Sequence, residues 1–224
     1  MEELSEQSIA LFQRLVQEWY DINGRILPWR QSRDPYSILI AEKLLQQTSV
    51  RIETISVYSL LLNKYPTVSD LAHANANEIR EIIIPLGLHY RAQEMVLMAQ
   101  EITGKFDSKI PDNLVDLLSI RGIGDYTARA VLCFAYGMDV PVVDTNIARI
   151  LHRVLYIPGK IPSNPARNSR LIRIMENLIP SSKSQSFNWG MIDLGASTCK
   201  PNPHCSICPL IQLCLYFTEV INKE

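Results

Sequence analysis

The helical spacing of the apolar residues is the feature that most limits how this chain can fold. Apolar side chains recur three and four positions apart, which places them on one face of an α-helix. No segment shows the sustained alternation of apolar and polar residues that is typical of a strand. The sequence therefore predicts an all-α protein. The N-terminal helix shows the pattern most clearly, in Phe12, Leu15, Val16, Trp19 and Tyr20.

Capping residues and breakers mark where these helices begin and end. Asp34 is followed by Pro35, an N-cap with proline at the first helical position, which predicts a helix to about Gln47. Asp144 similarly predicts the start of a helix that runs to about Tyr156. Further helices are predicted near residues 52–65, 67–73, 75–84, 89–103, 112–119, 125–136, 170–179 and 184–197.

Composition indicates a globular protein and limits the class of partner. Apolar residues make up 47% of the 224 residues and charged residues 20%. The 22 basic and 23 acidic residues exclude a globally basic nucleic-acid binder, although a local basic face is compatible with them. No apolar run is long enough to cross a membrane, and the acidic N-terminus does not look like a secretory signal. We therefore expect a cytoplasmic protein that does not enter membranes.

Two glycines, Gly122 and Gly124, separate two predicted helices. They allow a tight turn whose N–H groups lie at a helix N-terminus, where an anion can bind. A DNA phosphate would suit this position and would be held without reading the base sequence. An ordinary connection between two helices would use the same residues.

Four of the five cysteines crowd into residues 199–214, with the spacing Cys-x5-Cys-x2-Cys-x5-Cys. Zinc sites commonly use two Cys-x2-Cys pairs, and only one is present here. A compact run of four thiolates suits a [4Fe-4S] cluster. The fifth, Cys133, lies in an apolar segment and is predicted to be a buried side chain.

Several motifs together resemble the endonuclease III/MutY superfamily of helix-hairpin-helix DNA glycosylases, and most of all its mismatch-specific thymine glycosylases. The resemblance runs from about Trp19 to Cys214. The motifs that carry it are LPWR at 27–30, RDPY at 33–36, EKLLQQT at 42–48, LSIRGIGDYTA at 118–128 and VDTNIAR at 143–149.

The resemblance implies a two-lobed helical fold. Residues 30–138 would form a six-helix lobe that contains the hairpin. Residues 1–29 and 139–224 would form the second lobe, with the cluster loop at 199–214. The implied ligands of the [4Fe-4S] cluster are Cys199, Cys205, Cys208 and Cys214. The first gap is five residues here, whereas six is usual in the superfamily.

The resemblance also implies catalytic residues. Asp144 corresponds to the catalytic aspartate, and Glu42 corresponds to a glutamate that faces the extruded base. Bifunctional members carry a lysine where this chain has Tyr126, and a phenol cannot form the imine that leads to strand cleavage. We therefore expect a monofunctional enzyme that leaves an abasic site.

Another set of residues is implied to contact DNA, and the expected partner of the monomer is a mismatched duplex. Gln46 and Gln47 would fill the gap left by the extruded nucleotide. Leu88 and His89 stand where MutY proteins usually have paired tyrosines. The implied DNA-binding set is Gln46, Gln47, Leu88, His89, Arg91, Gly122 and Gly124.

The expected activity is removal of thymine, and of uracil, opposite guanine. The first alternative is an adenine glycosylase that acts on A opposite G or 8-oxoguanine, which Gln46-Gln47-Thr48 and Pro28-Trp29 favour. Tyr126 argues against it, as do Leu88-His89 and the end of the chain ten residues after Cys214, where MutY proteins usually continue into another domain. The second alternative is a catalytically silent iron–sulfur module that binds DNA. Binding alone would need neither Asp144 nor Glu42.

Overall fold

The computed structural model describes residues 5–46 and 50–221. These residues form α-helices, short 3-10 turns and loops and contain no strand, so the prediction of an all-α fold is confirmed. The α-helices are α1 (Glu6–Asn23), α2 (Pro35–Leu45), α3 (Ile52–Lys64), α4 (Val68–Ala72), α5 (Ala76–Ile83), α6 (Ala92–Phe106), α7 (Leu114–Ser119), α8 (Asp125–Phe134), α9 (Thr145–Val154), α10 (Ser169–Leu178), α11 (Ser184–Ser197) and α12 (Leu215–Glu219).

Local capping explains where several helices begin. The Asp34 side chain accepts hydrogen bonds from the backbone N–H groups of Tyr36 and Ser37 at the start of α2. The sequence pattern did not predict the short helix α12, and it placed the start of α6 too early. A 3-10 turn, His89–Arg91, precedes α6.

The chain divides into two compact units. The first unit combines the residues up to Arg25 with those from Gly137 onward. In it α1 packs against α10 and α11, and α9 packs against α11 and α12. Its core includes Phe12, Ile147 and Phe187, which are all buried.

The second unit is Ile26–Tyr136. Its helix α2 packs against α3 and α8, while α4 and α5 pack against α6. Almost all of α2 is buried, including the charged residues Glu42 and Lys43. Burial of a charged side chain costs free energy unless the charge has partners. The two charged residues near the C-terminal end of this buried helix therefore indicate a role beyond core packing.

None of the helices in the described part of the chain is long and apolar enough to cross a membrane.

Candidate functional site

Asp144 is the N-cap of α9, as the sequence predicted. Its Oδ1 accepts a hydrogen bond from the Ile147 backbone N–H at 2.7 Å, and its Oδ2 accepts one from Asn146 Nδ2 at 2.9 Å. Both oxygens of the carboxylate are therefore held in fixed positions. The cap keeps a charged group oriented at a helix N-terminus, where an anion is favoured.

The surroundings of Asp144 shift its ionisation. Burial raises the pKa of this carboxyl above its ordinary value, against the hydrogen bonds from Ile147 and Asn146 and the charge of Arg149. The folded protein therefore makes the ionised form less stable than it would be in water. Such an anion gains more than a solvated one when a positive charge develops beside it.

Arg149 links the support of Asp144 to the cysteine segment. Its Nη2 donates to Asn146 Oδ1 at 2.7 Å and to the Gly195 carbonyl at 2.9 Å. Its Nε donates to the Cys199 carbonyl at 2.7 Å. The side chain that orients Asp144 is thus held by an arginine that also binds the backbone of the first cysteine.

Gly195 allows α11 to approach the start of α9. A Cβ added to Gly195 would lie 2.6 Å from Asn146 Cβ and 3.2 Å from the Asn146 carbonyl carbon. These are atoms that side-chain rotation cannot move away. Only glycine therefore fits at this contact without a shift of the backbone.

The four clustered cysteines line one pocket, whose empty volume is about 400 Å³ when its open side is included. Each of them is half-buried. Arg153 lies at the edge of this pocket, where its Nη1 donates to Cys199 Sγ at 3.3 Å and to the Lys200 carbonyl at 2.6 Å. The pocket therefore combines four thiols with a fixed cation.

Burial opposes ionisation of these thiols. It raises the pKa of Cys208 to about 11, and it also raises the pKa values of Cys205 and Cys214. Among the described residues, no three or more His, Cys, Asp or Glu side chains are placed to hold one metal ion. Four thiols that line one pocket are the type of donor set that a polynuclear iron–sulfur group uses, and positive metal centres bound there would stabilise the thiolates.

The glycine turn between α7 and α8 is present as predicted. Gly122 has a φ of +77°, a conformation that favours glycine. Gly124 is extended and is the N-cap of α8. Both glycines are exposed, and the Gly122 carbonyl accepts a hydrogen bond from Lys43 Nζ at 2.9 Å. A lysine of α2 therefore forms a hydrogen bond to the inner side of the exposed turn.

Glu42, Gln46 and Tyr126 lie in the same unit as this turn. Glu42 is only 5% exposed, and Tyr126 is half-buried in the first turn of α8. Gln46 Nε2 donates to Thr127 Oγ1 at 3.1 Å, so the end of α2 is bonded to α8. Gln47 lies outside the described residues.

Two of the residues expected to contact DNA are buried. Leu88 is 4% exposed and Arg91 is 6% exposed, whereas His89 lies at the surface. Arg91 Nη1 donates to the carbonyls of Lys43 at 3.2 Å and Gln46 at 2.8 Å. The structure therefore places Arg91 inside the unit, supporting the C-terminal end of α2.

Sequence reasoning assigned no role to Lys43, Asn146, Arg149 or Gly195. Asn146 and Arg149 stand two and five positions after Asp144, within the motif VDTNIAR at 143–149. Their spacing along the start of one helix was the available signal. Lys43 and Gly195 gave no local signal, because their contacts join distant parts of the chain.

Comparison with known proteins gives consistent results. The sequence profile described as "HhH-GPD superfamily base excision DNA repair protein" matches residues 40–176. A thymine-DNA glycosylase of Aeropyrum pernix is 37% identical over 94% of this chain and 95% of its own length. An adenine DNA glycosylase of Buchnera aphidicola is 33% identical over 95% of this chain and 61% of its own length. The solved structure of a thermostable thymine-DNA glycosylase superimposes with a TM-score of 0.87 at 30% identity, covering 94% of this chain and 97% of that one.

Proposed function

The chain belongs to the HhH-GPD superfamily of base excision DNA repair proteins, and we propose that it is a monofunctional DNA glycosylase that removes thymine or uracil mispaired with guanine. The product is an abasic site. Uracil is included because it presents the same hydrogen-bonding edge as thymine and lacks only the methyl group.

The fixed carboxylate of Asp144 carries this proposal. In the reaction the bond between C1′ of the sugar and N1 of the base breaks, and its electron pair leaves with the base. Positive charge develops on the sugar, and the oriented Asp144 carboxylate stabilises it electrostatically. A water oxygen then bonds to C1′, and Asp144 accepts the proton that the water loses.

Glu42 is proposed to recognise the base. Its buried position on α2 suits a carboxylate that meets a flipped nucleobase away from bulk water. An ionised carboxylate can accept a hydrogen bond from the N3–H of thymine or uracil. The exposed glycine turn at Gly122 and Gly124 is proposed to hold a phosphate of the same duplex.

Tyr126 determines the proposed reaction type. A phenol has no amine to attack C1′, so borohydride should fail to trap a covalent complex between this protein and DNA. Strand breaks should appear only after alkali or heat. Trapping at a rate that matches base release would show that a lysine elsewhere acts as the nucleophile, and would contradict this role of Tyr126. Tyr126→Phe is the matched control and should also give no adduct.

The cysteine pocket is proposed to hold a [4Fe-4S] cluster. Cys199, Cys205, Cys208 and Cys214 would be its ligands, and Arg153 would donate a hydrogen bond beside the first of them. When bound, such a cluster supplies a structural cross-link of the C-terminal segment. The chain's own contribution to catalysis is the link from the Cys199 carbonyl through Arg149 and Asn146 to Asp144.

Purified protein should be yellow-brown and contain about four iron atoms per chain. Cys205→Ser should lose most of this iron and show a lower Tm, because cluster binding is coupled to folding. Cys133→Ala is the control: it removes the cysteine outside the pocket and should keep the iron. Colourless protein that holds one zinc ion would contradict the cluster.

Substrate choice is tested with duplexes that contain T·G, U·G, A·G or A·8-oxoG, each treated with alkali after the reaction. We expect alkali-dependent cleavage at T·G and U·G. Cleavage at adenine alone would support the adenine glycosylase, and binding without cleavage of any duplex would support a silent module. The proposed active form is the monomer, and the proposed place of action is the cytoplasm, where it would act on the genomic DNA.

A further inference from the structure

Lys43 is a buried lysine whose amine contacts the glycine turn. Lys43 is only 2% exposed, and it follows Glu42, which is also buried, near the C-terminal end of α2. Its Nζ donates to the Gly122 carbonyl at 2.9 Å. A Cβ on Gly122 would lie 3.2 Å from the same nitrogen. The amine is therefore packed against the inner side of the turn and does not reach solvent.

The charged groups that act on Lys43 lie in the same compact unit as Lys43 itself. Burial lowers the pKa of Lys43, and the nearby guanidinium of Arg91 lowers it further, while the carboxylate of Glu94 raises it. A methionine of similar length would fill the same space without the cost of burying a cation. The hydrogen bond to the turn is the specific contact that a methionine could not make.

The same end of α2 is hydrogen-bonded to the turn and to the helix that follows it. Lys43 binds the turn itself, and Gln46 binds Thr127 in the first turn of α8. Arg91 in turn binds the carbonyls of Lys43 and Gln46. These contacts couple the position of the exposed turn to the segment that precedes residue 47.

We propose that Lys43 is a positioning residue that fixes the Gly122 carbonyl, and thereby preorganises the glycine turn to bind a DNA phosphate, without touching DNA itself. This inference rests on the proposed DNA-binding role of the turn. It assigns the affinity for DNA partly to a buried residue, in addition to exposed cations such as Arg121 that we expect to contact phosphates directly.

The test compares Lys43→Met with Arg121→Ala, which removes an exposed cation from the turn. Binding to a duplex with a non-hydrolysable thymidine analogue opposite guanine is measured over a range of salt concentrations. Lys43→Met should weaken binding about tenfold at every salt concentration. The reason is the loss of the charge-assisted hydrogen bond within the protein that holds the Gly122 carbonyl, and with it the turn, in the conformation that binds phosphate. The slope of log K against log salt should stay unchanged, because no phosphate contact is removed. Arg121→Ala should make that slope less steep by about one.

Hydrogen exchange supplies the readout that does not depend on DNA. Lys43→Met should exchange faster in residues 118–125 and not in the rest of the Ile26–Tyr136 unit. Its single-turnover rate at saturating enzyme should remain within about threefold of wild type, because the loss is in binding. Lys43→Arg restores a donor and should recover part of the protection.

Wild-type exchange in the turn, wild-type affinity or a changed salt slope in Lys43→Met would each overturn the proposal. Faster exchange throughout the unit would also overturn it, because Lys43 would then be a general stabiliser. If wild-type protein binds the duplex but releases no base, the proposed function fails, while the exchange and binding results still test Lys43.

Discussion

Asp144→Asn should lower the single-turnover rate of thymine release by about a hundredfold or more. The substitution removes the negative charge that we propose stabilises the developing sugar cation, and it leaves the shape of the residue nearly unchanged. Binding to the mismatched duplex should survive, because the proposed phosphate contacts lie elsewhere. Asp34→Asn changes another N-cap aspartate in the same way and should keep the rate within about threefold of wild type.

The stability of Asp144→Asn should differ from wild type by about 1 kcal/mol or less. An asparagine oxygen can still accept from the Ile147 N–H. The hydrogen bond from Asn146 is lost, because the NH₂ group of the new asparagine would face the NH₂ group of Asn146 and neither can accept. This loss is offset, because the pKa of Asp144 is raised in the folded state. A raised pKa means a contribution to stability that is present at low pH and disappears as the pH rises through the folded pKa. At neutral pH the charged group is a cost, which asparagine removes.

The raised pKa also predicts the acid side of the rate profile. The rate should fall as Asp144 becomes protonated, and this should happen at a higher pH than for an aspartate of ordinary pKa, about 3.9.

The two measurements on Asp144→Asn are the rate and the Tm. A stable variant that binds and still releases thymine within about threefold of wild type would show that Asp144 is only a helix cap.

Gly195→Ala should destabilise the protein by about 2 kcal/mol or more. The added methyl group would lie 2.6 Å from Asn146 Cβ, so α9 and α11 must move apart. Asn146 also orients Asp144, so the rate should fall even at temperatures where the variant is folded.

Gly104→Ala is the matched control for this prediction. Gly104 lies in α6, and a Cβ there meets nothing within 4 Å. Gly104→Ala should therefore stabilise the protein by about 0.5–1 kcal/mol, because alanine loses less conformational entropy than glycine when a helix forms. Denaturant unfolding of both variants measures the difference. Equal stability of the two would contradict the close approach of α11 to Asn146.

The starts of α2 and α9 could be predicted from sequence because capping is local. Asp34 and Asp144 each bond to N–H groups within three residues of themselves. The glycine turn could be predicted for the same reason, since the positive φ of Gly122 is a property of the turn alone.

The support of the site could not be predicted, because it depends on contacts between distant residues. Lys43 and Gly122 are 79 residues apart, and Arg149 and Cys199 are 50 apart. Arg91 looked like a DNA-binding cation, but the structure shows it buried against α2 carbonyls. A charged residue in a sequence gives no sign of which backbone groups will surround it after folding.

The base that the wild-type protein releases from a T·G duplex distinguishes a thymine glycosylase from the alternatives most directly. Chromatography of the supernatant should find free thymine, in an amount equal to the alkali-sensitive sites, with no strand break before alkali. The same duplex incubated with Asp144→Asn should release almost none in that time. Release of adenine from A·G with no thymine from T·G, or strand cleavage that accompanies base loss, would contradict the assignment as a monofunctional thymine glycosylase.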